Sequence, residues 1–307
     1  MCIPGMKIRE VMASHIQAGE NQLSGSGNRA SVRDTIKVMA VQASVCDRAG
    51  TEQKNFEWIR AVYRAYELLC RSFPLDQERG LGGFLLFAGE LPEQREQSTA
   101  DAMVVAANIA GVATLVAAPE AAVQRRAMRD ALVDFVVHSM EEALRILKNE
   151  IRQRRAVSVA VAVSGEYLAE EMLKRGVQPE AIPDFALPGP HSPVHALLDR
   201  AMQLRASGGE DASETTFVLW KRESCCSSQK SVEETAALEL ATDPVRQRWL
   251  RLAPRYLGRA AHRAMGVGLS EREASLWRQR VLSASARVAG QSVESARESG
   301  QSESCLR

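Results

Sequence analysis

The fold is decided by Gly83-Phe-Leu-Leu-Phe-Ala88, a helical run from Thr99 to Ala110, and Gly111 leading into Val112-Ala-Thr-Leu-Val-Ala117. A short apolar run bounded by glycine reads as a strand buried on both faces. Two such runs joined by a glycine-terminated helix make a βαβ unit. Working downstream, Ala121 to Leu132 is helical and Asp134 to Val137 is a third strand. Ser139 caps a helix reaching about Arg154, with Glu142 at the capping-box position. Val157-Ser-Val-Ala-Val-Ala-Val163 is a fourth strand, followed by Gly165, a helix to Arg175-Gly176 and an apolar step from Ile182 to Leu187. Working upstream, Phe56, Ile59, Val62, Tyr63, Tyr66, Leu69 and Cys70 share one helix face, ending near Pro74. Short strands alternating with helices predict a doubly wound, Rossmann-like parallel α/β sheet.

The chain has 307 residues, 45% of them apolar, which is enough for a large core. Residues 1–50 and 283–307 are small and polar with little to bury, and are expected to be disordered. Residues 51–206 form the α/β domain, Ser207-Gly-Gly-Glu-Asp211 reads as a linker, and 215–282 form a strand plus a helical unit. In that unit Thr215 to Trp220 is β-prone and is read as one more strand of the sheet. The rest reads as helix, with Pro254 interrupting the middle one. Ser231 with Glu234 and Ser270 with Glu273 match capping boxes.

Thirty-nine basic and thirty-eight acidic residues leave a net charge of +1, so any charged partner must meet a local patch. Glu90, Glu93 and Glu96 crowd one loop. Between Pro244 and Arg280 nine arginines face two acids, and Arg248, Arg251, Arg255 and Arg259 recur at helical spacing. These patches suit a docking partner or second copy, with nucleic-acid association through the arginine-rich helices the least favoured alternative; a small molecule or nucleotide is the other expected partner. No run of about 20 apolar residues exists, so no membrane association is expected. Six cysteines without disulfide or metal spacing point to a reducing, cytoplasmic compartment.

In an open parallel sheet the ligand lies beyond the carboxyl ends of the strands. A dinucleotide site needs glycines after the first strand so that backbone amides can approach a pyrophosphate. This chain instead reads Ala88-Gly-Glu-Leu-Pro-Glu-Gln-Arg-Glu-Gln-Ser-Thr-Ala-Asp101, and its second strand ends Val116-Ala-Ala-Pro119 with no carboxylate for a ribose.

Several stretches between Ala100 and Asp184 resemble the NAD-binding Rossmann-like domain of the urocanase (urocanate hydratase) family. They are Ala106-Ala-Asn-Ile-Ala-Gly111, Val123-Gln-Arg-Arg126, Met140-Glu-Glu-Ala-Leu-Arg145, Val157-Ser-Val-Ala-Val161 and Leu173-Lys-Arg-Gly-Val-Gln-Pro-Glu180. His191-Ser-Pro193 stands near that family's H-D-P segment. The likeness covers about residues 52–200 and implies an NAD-dependent lyase step in histidine degradation. Its cofactor-holding positions fall on Gly89, Ser98, Thr99, Ala118 and Gly165, with His138 and His191 as strand-end and loop histidines. The family's glycine-rich loop, its strand-end acid and its Y-C-Q-G-L-P-A-R-like cysteine segment have no counterpart here. The expectation is thus a non-hydratase ligand-binding or accessory module. No catalytic residue and no metal site is assigned, and whether the chain is an enzyme, and with which cofactor, stays open between this reading and the hydratase one.

Overall fold

The computed structural model describes residues 29–76, 78–93, 98–187, 189, 192–205, 215–222 and 232–284. The chain divides into two units, Met1–Thr51 and Glu52–Arg307. In the first, the described backbone is helical from Arg29, the start of α1 (Arg29–Ser72), although the sequence there shows no sustained period.

The second unit holds β1 (Leu85–Glu90), α2 (Thr99–Ala110), β2 (Ala113–Ala117), α3 (Ala121–Arg129), β3 (Phe135–Val137) and α4 (Met140–Gln153). There follow β4 (Val157–Val161), α5 (Gly165–Lys174), β5 (Ala181–Pro183), a 3-10 turn (Asp184–Ala186), α6 (Val194–Leu197) and β6 (Met202–Leu204). The six strands form one parallel sheet in the order β3-β4-β2-β1-β5-β6. The doubly wound α/β architecture is thereby established. β6 was not legible in the sequence, because Met202-Gln-Leu204 is only three residues long with two of them exposed.

Strand order determines where the helices lie. Crossovers between parallel strands are right-handed, so the direction of travel selects the face. The steps β1→β2→β3 run one way and place α2 and α3 on one face. The chain reverses at β3, which places α4 and α5 on the other. The core follows: Leu86, Ala88, Val116 and Ala160 pack with α2, α3 and the inner face of α1. Leu85, Phe87, Leu115, Val159 and Val161 pack with Met140, Ala143, Leu147, Leu168 and Met172. The period of two along each strand produces this division.

Helix ends follow sequence signals closely. Gly111 takes φ 98° beyond α2, and Ser139 Oγ accepts the Glu142 amide at the start of α4. α3 stops at Arg129, earlier than periodicity suggests, where Ala131 adopts a left-handed φ of 52°. In the Leu173–Glu180 stretch, Gly176 turns at φ 64° and the Glu180 carboxylate accepts the Leu85 amide at 2.6 Å. That stretch therefore anchors β5 to the start of β1.

The C-terminal part differs from the expectation. β7 (Thr215–Lys221) does not extend the main sheet but pairs antiparallel with β8 (Ala264–Ser270), a strand within a stretch that reads as helix. Their partners are α7 (Val232–Leu240), α8 (Pro244–Tyr256) and a helical stretch over residues 271–284. Pro254 does not end α8, which runs two residues further to Tyr256. Trp249 is fully buried, packs edge-on against Tyr63 and donates to the Gly266 carbonyl at 2.7 Å. The Ser270–Glu273 capping box forms; Ser231 of the other lies outside the described residues. No helix among the described residues is long and apolar enough to cross a membrane.

Candidate functional site

Adjacent strands whose following helices leave to opposite faces open a crevice at their carboxyl ends. Here those boundaries fall between β4 and β2 and between β1 and β5. Both are bridged by the chain itself. At the β1/β5 boundary Gly89 has φ 76°, and a Cβ there would lie 2.8 Å from that of Ala186 in the 3-10 turn. Its lack of a side chain admits that turn. At the β4/β2 boundary an irregularity between Phe87 and Glu90 redirects the strand end, and Glu90 Oε2 accepts the Gly165 amide of α5 at 2.7 Å. A helix N-terminus attracts an anion through its free amides and dipole, and the anion here is an internal carboxylate.

The start of α2 is treated likewise. Ser98 Oγ accepts the Asp101 amide at 3.0 Å, and Asp101 returns a bond to the Ser98 amide. Arg126 grips both Asp101 oxygens, at 2.9 and 3.2 Å, and donates to the Pro92 carbonyl at 3.0 Å. The pair is buried on both sides. Burial pushes the Asp101 carboxyl above the usual range, while Arg126 and the Ser98 bonds pull it down. The second strand end is sealed too: Ala118 is fully buried, and Gln124 donates to the carbonyls of Ala118 and Pro119.

A dinucleotide does not fit these residues. The helix N-terminus after β1 carries its own capping carboxylate, that of α5 carries Glu90, and no acid stands at Ala117-Ala118-Pro119 for a ribose. Of the positions assigned by resemblance, the structure brings together the Gly89–Glu90 strand end and Gly165. Ser98 is a helix cap, Thr99 is exposed in the first turn of α2, and Ala118 is interior. His191 and Glu96 lie outside the described residues.

His138 sits elsewhere, at the edge of a cleft of about 230 Å³ at the carboxyl ends of β3 and β4. Met140, Val161, Val163 and Leu168 make its apolar floor; Ser139, Tyr167, Glu171 and Arg175 complete the lining. Tyr167 and Glu171 on α5 and Arg175 just past its end are spaced by four and so lie along one ridge. Hydrogen bonds from Arg175 and Lys174 hold the Glu171 carboxyl below its usual range. That spacing was present in the sequence but carries no signal without the neighbouring strand.

Parallel order, a reversal at β3 and helices on both faces define a Rossmann-like module. Residues 98–219 match the model of the urocanase Rossmann-like domain. The match begins at Ser98, beyond the loop in which the expected glycines are missing, and ends within β7. No curated protein matches the chain.

Proposed function

We propose that the chain is a cytoplasmic, urocanase-type Rossmann module that serves as a ligand-binding or accessory protein and does not carry out the hydratase reaction. The observation that carries this reading is the cleft beside β3 and β4, where an apolar floor meets His138, Tyr167, Glu171 and Arg175. Small-molecule sites combine apolar lining with a few convergent polar groups in this way. The cleft is separate from the crevices bridged by Glu90 and by Ala186.

The test has two arms. Incubated with urocanate and NAD, the purified protein is expected to leave the urocanate absorbance unchanged; loss of that absorbance restores the hydratase reading. In a thermal-shift series with urocanate and related imidazoles, stabilisation that is lost in Arg175→Ala places the ligand in the cleft. Stabilisation indifferent to that change, or none with any compound, removes the cleft from the account.

A further inference from the structure

Helix α5 is ten residues long, and its amino terminus opens at the boundary where the helices following β4 and β2 diverge. Two groups meet its first turn. Ser164 caps it internally, with Oγ accepting the Tyr167 amide at 3.3 Å. The second group comes from a different strand: Glu90, 75 residues away, reaches the Gly165 amide. Gly165 permits the approach, since a Cβ there would already stand 3.3 Å from the Glu90 Cβ. A larger residue at 165 would crowd the carboxylate it now receives. At the start of α2 the Asp101 carboxylate, clamped by Arg126, accepts the N-cap amide of Ser98 at 3.3 Å. Beyond the strand ends, one carboxylate therefore takes a backbone amide at the start of each helix, Glu90 from β1 at α5 and the Arg126-held Asp101 at α2.

We infer that Glu90 and Asp101 serve as built-in anions in place of a dinucleotide phosphate, so that this Rossmann-like module is complete without NAD. This reaches beyond the proposed function: a ligand in the β3/β4 cleft is compatible with it, and failure of the cleft leaves it standing. The opposite arrangement, a carboxylate displaced by pyrophosphate, would require Glu90 to swing away from Gly165 and two anions to share one helix terminus, which like-charge repulsion opposes.

The experiment follows the backbone amide resonance of Gly165 and the melting temperature of the full chain. In the wild type, NAD and inorganic pyrophosphate are expected to leave both unchanged. Glu90→Ala is expected to move the Gly165 resonance upfield and to lower Tm by about 2–4 °C, the size of one lost cap in a protein this large. Pyrophosphate added to Glu90→Ala is then expected to shift the Gly165 resonance back and restore part of the Tm. Saturable movement of Gly165 by NAD in the wild type overturns the inference, and that arm needs no variant. A Gly165 resonance indifferent to Glu90→Ala, or to pyrophosphate in that variant, overturns it equally. Urocanate turnover with no NAD effect at Gly165 would instead contradict the functional proposal alone.

Discussion

Asp101 shows how far single residues can be read. The pattern Ser98-x-x-Asp101 ahead of an apolar run fits a capping box, whereas the family resemblance assigns Ser98 to a cofactor. That Asp101 would be buried against Arg126 was not legible in the sequence, because the two lie 25 positions apart and meet only once α2 and α3 share a face. Glu90 was legible only as one acid in an acidic loop; its bond to Gly165 depends on β2 lying between β1 and β4. Removing one partner of a buried ion pair strands the other charge. Asp101→Ala is accordingly expected to reduce unfolding stability by about 3–5 kcal/mol, read from the urea midpoint. A loss below about 1 kcal/mol, the range of an exposed pair, would show that the pair is not buried as described.

At the scale of elements, apolar helices and most strands of the main sheet were legible, the three-residue β3 included, whereas β6 and the small-residue strand β8 were not. β8 reads Ala-Met-Gly-Val-Gly-Leu-Ser, poor in the β-branched and aromatic residues that announce a strand. Its glycines exist for its neighbours. A Cβ at Gly266 would strike Phe217 and Leu219, and one at Gly268 would lie 2.7 Å from the Tyr63 ring. Gly268→Ala is therefore expected to cost about 1–3 kcal/mol by overpacking. Loss of the Tyr63 and Trp249 near-ultraviolet signal should accompany it; an unchanged signal and midpoint would show that Tyr63 does not press on β8. The arginine stripe is interrupted at this scale. Arg248 is buried, donating to the Ile109 carbonyl at the end of α2, and Arg246 pairs with Asp243 and Glu273. Arg251 and Arg255 stay exposed on α8, but Arg259 lies past its end, in a 3-10 turn, so the four do not share one helix face.

For the whole molecule, the parallel sheet follows from alternating element types, whereas the order β3-β4-β2-β1-β5-β6 was not derivable from them. That order matters more than strand count. It places β1 between β2 and β5 and sends the loops after β1, β2, β4 and β5 to the same carboxyl edge, where Glu90 and Ala186 bridge the crevices. A near-neutral net charge conceals this, since the decisive carboxylates are spent on internal amides. The central claim, a urocanase-type Rossmann module complete without its dinucleotide, is met most directly by calorimetric titration of the wild-type chain with NAD. Heats indistinguishable from dilution up to millimolar NAD are expected, about the concentration at which binding is worth only ~4 kcal/mol. A saturable isotherm with one NAD per chain would contradict it.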